Sequence, residues 1–330
     1  CMKEIFITGG SGYIGSHCVI SLIENGFKPI ILDNFSNSKV NVVKKLQLIT
    51  KKKIIFYKVD LRNKKKLNSI FKKHNCHCVI HCAGFKSVAE SNKDPILYFK
   101  NNVSSTITLL ECMRENKVFK LVFSSSATVY NDNQALPFKE NGSVGKTNNP
   151  YGTSKFLIER ILKDLSKFDN RWSIKIARYF NPISNHSSGL IKENPKGIPN
   201  NLIPIIIKVA QKKKDFLKVF GKNYQTKDGT CIRDYIHVMD LANGHIAILK
   251  KKLNKGFDVY NFGTGKGYSV LEIIRNFEKF TGISIPYKFT AKRKGDIDIS
   301  LCNTQKSIRK LKWKANTNLS KAMLDLKKII

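Results

Sequence analysis

Tyr151 and Lys155 stand in a Y-x-x-x-K arrangement directly after Pro150. Proline opens helices readily, and four residues make about one helical turn, so both side chains share a face of a predicted helix. An ammonium beside a phenol favours the phenolate, bringing a group of free pKa about 10 toward acid/base work near neutrality. Upstream, Ser124-Ser125-Ser126-Ala127-Thr128-Val129-Tyr130 follows an apolar run, and its hydroxyls can hydrogen-bond an oxygen of a ligand. A Tyr/Lys pair at this spacing arises by chance on many amphipathic helices, so its meaning depends on the residues around it.

The strongest such residues are at the start of the chain. Ile5 to Thr8 runs into Gly9-Gly10-Ser11-Gly12-Tyr13-Ile14-Gly15, with a helical pattern following from Ser16. In this context Gly9 permits the tight turn, Gly12 lets the backbone approach a pyrophosphate, and Gly15 lets helix pack on strand, while the helix N-terminus faces the anion. Asp33 ends the next apolar run about twenty residues on, where a carboxylate takes the ribose hydroxyls of NAD and repels a ribose phosphate. NAD is therefore favoured over NADP, although Asp33 can also cap the loop over residues 34–37. In that case Lys155 can also hold the nicotinamide ribose.

These groups need elements to position them. Ile5 to Thr8, Pro29 to Asp33, Ile54 to Val59, Val79 to Cys82, Leu121 to Ser125 and Ile174 to Ala177 read as strands, separated by polar segments of helical length. Strand and helix in alternation, joined by right-handed crossovers, give an α/β fold: a Rossmann-type doubly wound parallel sheet with a smaller C-terminal substrate-binding lobe. Residues 1–181 are read as the NAD-binding domain and 182–330 as mainly the substrate lobe, with a strand near 259–262 returning to the sheet. The Ser-, Asn-, Pro- and Gly-rich stretch from Ser184 to Asn201 is irregular, and Leu202 to Val209 reads as a helix.

Composition narrows the class without fixing it. The chain has 330 residues, 42% hydrophobic and 25% charged, which suits a globular protein. Its net charge of +35 raises nucleic acid as a partner, but the lysines are scattered through every segment beside abundant Asn and Ile, as AT-rich coding would produce. No nucleic-acid or membrane partner is expected, and no apolar run reaches bilayer length. Eight cysteines without a C-x-x-C pair point to reduced thiols and a cytoplasmic location. Met2 is read as the natural start and Cys1 is set aside. His74, Cys76, His77, Cys78, His81 and Cys82 superficially resemble a zinc cluster. Strand alternation sends Cys78 and His81 to opposite faces, so no metal is expected.

Taken together, the G-x-x-G-x-x-G spacing and Tyr151/Lys155 resemble the extended short-chain dehydrogenase/reductases. Ala83-Gly84-Phe85-Lys86, Tyr179-Phe180-Asn181-Pro182, Gly197 to Leu202 and Arg233-Asp234-Tyr235-Ile236-His237-Val238 narrow this to a resemblance to the UDP-glucose 4-epimerase family across nearly the whole chain. The resemblance implies NAD contacts at Gly9, Gly12, Tyr13, Ile14, Gly15, Asp33, Asn34, Asp60, Leu61, Cys82, Ala83, Gly84, Lys86, Asn102, Lys155 and Tyr179. It implies UDP-hexose contacts at Lys86, Ser126, Tyr151, Asn181, Asn201, Leu202, Phe220, Arg233, Arg293, Asp296 and Ser300, with Tyr151, Lys155 and Ser126 catalytic. In the implied reaction Tyr151 takes the proton of the 4-hydroxyl, Ser126 holds the 4-oxygen, and a 4-keto sugar turns over in the pocket.

Ser300 replaces a bulky Tyr of the glucose-restricted relatives, which predicts turnover of N-acetylhexosamines as well. Asn131 and Ser184 stand where that family has Gly, and the chain lacks the family's aromatic tail. A homodimer through Asn102 to Arg114 and Tyr151 to Ser166 is implied too. Two rivals remain at this point: a nucleotide-sugar 4,6-dehydratase or decarboxylase of the same fold, which would carry an acid after Ser126 where Ala127 stands, and a non-catalytic NAD-binding regulator.

Overall fold

A computed structural model of the chain describes residues 2–194, 201–251, 253–293 and 295–330. In chain order the first half runs β1 (Glu4–Thr8), α1 (Tyr13–Glu24), β2 (Lys28–Asp33), α2 (Asn41–Thr50), β3 (Ile55–Lys58), α3 (Lys64–Phe71) and β4 (Cys76–His81). Short helices α4 (Val88–Lys93) and α5 (Pro95–Tyr98) lead through a π-helical turn at Phe99–Ser104 into α6 (Ser105–Glu115), β5 (Lys120–Ser126), α7 (Pro150–Phe168) and β6 (Ser173–Tyr179). The second half contains β7 (Asn181–Ile183), α8 (Leu202–Ala210), β8 (Leu217–Phe220), β9 (Ile232–His237), α9 (Val238–Lys250), β10 (Gly256–Phe262) and β11 (Gly267–Ser269). It ends with α10 (Val270–Thr281), β12 (Tyr287–Thr290), β13 (Ile299–Ser300), α11 (Gln305–Leu311) and α12 (Leu319–Lys327).

Seven parallel strands form the main sheet in the order β10-β6-β5-β4-β1-β2-β3. Parallel strands are covered on both faces, which is why they read as continuous apolar runs rather than alternating ones. Side-chain alternation divides them between two cores. Ile5, Ile7, Val122, Ala177 and Tyr179 pack with α1, α2 and α9, and Phe6, Leu121, Phe123, Ile174 and Ile176 pack with α3, α6 and α7. Each fully buried large apolar side chain contributes roughly 1.5–3 kcal/mol.

After β1 the chain builds β2 and β3 on one side, then returns to place β4 on the other. The carboxyl ends of β1 and β4 therefore splay apart at a topological switch point, where open α/β sheets bind ligands. β10 joins the far edge of the sheet beside β6, with Val259 opposite Ile176. A third core outside this sheet gathers Ile203 and Ile206 of α8, Ile273 and Phe277 of α10, and Met323 and Leu326 of α12 around β8 and β9. β9 carries β11 and β13 at one end and β7 at the other, while β8 pairs with β12.

Local boundaries differ from the sequence expectation at two positions that matter. α1 starts at Tyr13 rather than Ser16, because Gly12 has extended geometry as N-cap and the first turn wraps directly from the glycine turn. β4 starts at Cys76 and ends at His81, leaving Cys82 in the crevice lip instead of the strand. His81 is fully buried, with Nδ1 2.7 Å from Thr8 Oγ1 and Nε2 2.8 Å from Thr106 Oγ1, so both ring nitrogens serve the fold. Among the described residues no group of three or more His, Cys, Asp or Glu side chains is placed to hold a metal ion, and no helix is long and apolar enough to cross a membrane.

Candidate active site

The glycine turn forms one wall of the crevice. Gly9 takes a φ of +66°, and a Cβ there would stand 2.8 Å from the Ala83 nitrogen, so β1's turn and the strand end of β4 touch backbone to backbone. At Gly15 an added Cβ would fall 2.2 Å from the Gly9 oxygen. Gly12 offers no side-chain cap to α1, and the first turn carries no acid. The open amides at this helix end are suited to an anion.

Asp33 closes the far side, buried and held by its neighbours: it accepts from the Ser11 nitrogen at 3.0 Å, from the Ser11 hydroxyl, and from the Phe35 nitrogen at 2.8 Å. Asp33 thus caps its own loop and lies against the glycine turn. Ser11 was not expected in this role, although its position inside the turn is a usable signal. Asn34 donates to Asp60 at 3.2 Å, and Arg62 grips the same carboxylate through two nitrogens, holding Asp60 well below the usual carboxylate range. Leu61 is buried in the core beneath.

Opposite them, α7 presents the Tyr/Lys pair. Asn149 caps the helix by accepting from the Gly152 nitrogen at 2.8 Å, and Pro150 begins it. Lys155 is buried, and its Nζ donates to the Ser124 carbonyl at 2.8 Å and lies 4.8 Å from the centre of the Phe123 ring. Burial pushes its pKa down to about 8, against the pull of Cys82 and Glu159. A Cβ on Gly84 would lie 3.7 Å from this ammonium, so lysine, β4 end and glycine turn line one crevice. Asn102 is turned inward by the π-helical segment, donating to the Phe85 carbonyl and to Ser154 and accepting from the Phe85 nitrogen.

The half-buried Tyr151 corrects one expectation. Burial raises its phenol, and only the hydrogen bond with Ser126 acts against that. Lys155 does not supply the acidifying charge, because its ammonium is drawn to the Ser124 carbonyl and the Cys82 side. Ser126 in turn accepts from the Thr128 nitrogen at 3.2 Å and from the Thr128 hydroxyl at 3.0 Å, which fixes the loop after β5. Tyr179 ends β6 with its side chain in one core and its hydroxyl 2.6 Å from His245 Nε2, while Phe180 packs with Tyr130, Phe138 and Cys302 in another.

A second cluster comes from the C-terminal lobe. Asp296 bridges two guanidinium groups, accepting from Arg293 Nε at 2.8 Å and lying 3.8 Å from Arg233. Arg233 also donates to the Ile232 and Ile297 carbonyls, and Arg293 stacks 4.9 Å from the centre of the Phe220 ring. Ser300, small and buried, pairs beside Arg233 across β13 and β9. Asn181 is exposed on β7, and Leu202 is half-buried at the start of α8. The segment carrying Asp296 is tied to the loop after β5, since Phe138 donates to the Leu301 carbonyl at 2.8 Å and Asn303 donates back to the Phe138 carbonyl at 3.0 Å.

Glu193 links the two regions and was missed. Lys86 Nζ donates to it at 2.6 Å and Asn201 at 3.0 Å, and Lys86 stands 5.4 Å from the Tyr13 ring centre. Nothing about Glu193's local sequence marks it. Positions 197–200 of the Gly-Ile-Pro-Asn-Asn-Leu motif lie outside the described residues. Asp234, in the middle of the Arg-Asp-Tyr motif, accepts from Thr264, Gly265 and Cys302 and is structural.

The model of the NAD dependent epimerase/dehydratase family matches residues 5–263. The chain is 48% identical to the UDP-glucose 4-epimerase of Neisseria meningitidis serogroup C, over 98% of this chain and 96% of that protein. It is also 48% identical to that of Dictyostelium discoideum, over 96% of this chain and 92% of that protein. A crystal structure of UDP-glucose 4-epimerase from Bifidobacterium longum in complex with NAD+ and UDP superposes with a TM-score of 0.96 at 42% identity, covering 99% of this chain and 98% of that one. With its glycine turn, Asp33 and Tyr151/Lys155 on one crevice, the chain belongs to the NAD-dependent epimerase/dehydratase family, among its UDP-glucose 4-epimerases.

Proposed function

We propose that the protein interconverts UDP-glucose and UDP-galactose by inverting C4 of the hexose with tightly held NAD. The observation that carries this is the placing of Tyr151 on Ser126 at the end of β5, with Lys155 on the Ser124 carbonyl and beside Gly84 after β4. The open amides of α1, the close-approach glycines and the carboxylate of Asp33 suit NAD, with Lys155 and Asn102 on its nicotinamide side. When bound, NAD would supply the hydride acceptor and donor for the sugar's C4.

The chain's own groups do the rest. Tyr151 takes the proton of the 4-hydroxyl, and burial of its phenol gives it a high affinity for that proton to be returned at the end. Ser126 accepts or donates at the same oxygen, holding it within reach. The buried ammonium of Lys155, tied to the Ser124 carbonyl, offers its positive charge to the cofactor side of the crevice, where water cannot screen it. Arg233 and Arg293 each offer forked donors to the diphosphate. Asp296, between the two, holds them oriented, and Phe220 offers a ring to the base. Lys86, Asn181, Asn201 and Leu202 border the sugar end.

Turnover of UDP-galactose to UDP-glucose by the wild type, and its loss in Tyr151→Phe with NAD retained, is the expected result. Wild-type protein that releases water or carbon dioxide from the substrate would favour the dehydratase or decarboxylase, but Ala127 and Thr128 put no carboxylate after Ser126. Two copies are expected to associate through the outer faces of α6 and α7, where Ile107 and Leu157 are exposed, and light scattering reads the mass directly. Cytoplasmic residence fits the seven free cysteines among the described residues.

A further inference from the structure

Asn261 of β10 takes no part in the chemistry of the sugar or the dinucleotide, yet it is fully buried and each of its polar atoms has a partner. Its side-chain nitrogen donates to the Phe138 carbonyl at 2.8 Å, and its side-chain oxygen accepts from the Tyr130 hydroxyl at 2.6 Å. The main chain is held as well. Its nitrogen donates to Glu140 Oε1 at 3.0 Å, and its carbonyl accepts from the Ser307 hydroxyl at 2.8 Å. A carbonyl can only accept, so Phe138 fixes which way the amide points and leaves the side-chain oxygen to Tyr130.

Each partner leads to a different part of the site. Tyr130 closes the turn that begins at Ser126; its ring stacks on Phe138 with centroids 5.1 Å apart and lies 4.7 Å from the Arg178 guanidinium. Arg178 in turn grips Glu159, which accepts the Ser125 hydroxyl at 2.5 Å, so the same loop has a second anchor. Phe138 exchanges backbone bonds with Leu301 and Asn303, directly after β13, where Ser300 stands opposite Arg233 of β9. One buried amide therefore joins the Ser126 loop of the sheet lobe to the strand of the second lobe that carries Ser300.

We propose that Asn261 is a positioning residue for the sugar: its amide sets the gap between Ser126 and the Ser300 strand, so that a hexose held by its diphosphate presents its 4-oxygen to Ser126. This rests on C4 inversion of a UDP-hexose as the reaction. Arg233 and Arg293 keep their own contacts with Asp296, and Arg233 keeps the Ile232 and Ile297 carbonyls. Loosening the amide thus leaves the diphosphate end in place and lets the reacting end drift. Misplacement of about 1 Å at a reacting centre can cost about a hundredfold in rate.

The test compares wild type, Tyr130→Phe, Asn261→Ala and the double variant, each loaded with NAD and assayed where all are folded. Tyr130→Phe removes one hydroxyl and keeps the ring with its packing. With UDP-galactose, kcat per NAD-loaded chain is expected to fall about tenfold in Tyr130→Phe and up to about a hundredfold in Asn261→Ala, while UDP affinity by calorimetry stays within about twofold of wild type. Because both changes act on one link, the double variant falls no lower than Asn261→Ala. A merely structural Asn261 would lower the thermal midpoint and leave kcat per loaded chain unchanged. That result overturns the proposal, as do UDP affinity falling in step with kcat and losses that multiply in the double variant. Hydrogen exchange reads the link without turnover: Tyr130→Phe is expected to speed exchange at the Phe138 and Asn303 amides as well as within 127–131, with β1 unchanged. Confinement of the change to 127–131 overturns the proposal. No turnover by the wild type would count against the epimerase reading, and exchange would still decide the link.

Discussion

Gly15→Ala tests the cofactor reading through a clash that can be sized. The new methyl would stand 2.2 Å from the Gly9 oxygen and 2.9 Å from both the Gly9 carbonyl carbon and the Gly10 Cα. All three are backbone atoms, so no side chain can swing aside, and either α1 or the glycine turn must move. Overpacking of this kind costs about 1–3 kcal/mol, and three backbone contacts under 3 Å put it at the upper end. Any of that displacement borne by the turn moves the amides that would meet the pyrophosphate. At about 1.4 kcal/mol per tenfold, NAD affinity is expected to fall by up to about a hundredfold. Gly12→Ala is the milder comparison: its nearest neighbour is the Gly9 oxygen at 3.2 Å and its φ is −74°, so the methyl asks for a shift of only a few tenths of an ångström. It should keep the thermal midpoint and weaken only NAD, whereas Gly15→Ala lowers both. Titration of cofactor-stripped protein with NAD, alongside thermal unfolding without it, separates the two effects. Wild-type NAD affinity in Gly15→Ala would refute the assignment of this turn to the cofactor.

Three further outcomes follow from the site. With Lys155 at about 8, its ammonium is present below that value and lost above it, so kcat/KM is expected to decline through an alkaline limb near pH 8. Stability runs the opposite way. The unfolded chain keeps its lysine proton up to its ordinary value of 10.5 while the folded one has released it, so this group's contribution to stability rises between about pH 8 and 10.5, and denaturant titrations of wild type against Lys155→Met read the difference. Glu159→Ala strands the buried Arg178, now bonded to both carboxylate oxygens at 3.0 and 2.6 Å, and removes the partner of Ser125; a loss of about 3–5 kcal/mol is expected in chemical denaturation, and a change below 1 kcal/mol would contradict the burial. Ser300→Tyr is expected to abolish turnover of UDP-N-acetylglucosamine while sparing UDP-galactose, and equal loss of both in a coupled assay would remove Ser300 as the size filter.

What the chain's residues announce on their own is whatever depends on spacing along it. The glycine turn, Asp33, the apolar runs and the Tyr151/Lys155 pair are local patterns, since strand ends, helix turns and tight turns are set by residues a few positions apart. Even the helix cap at Asn149-Pro150 is of this kind. Tertiary packing decided the rest, because charge and hydrogen bonding are governed by distances in space that no sequence interval records. Lys155 chooses the Ser124 carbonyl, thirty-one positions away, over the phenol one turn before it. Glu193 meets Lys86 across 107 positions, and Cys18 meets His245 across 227. Tyr179 and Phe180 are adjacent in sequence yet pack in different cores, a division set by how the chain was laid into its neighbours.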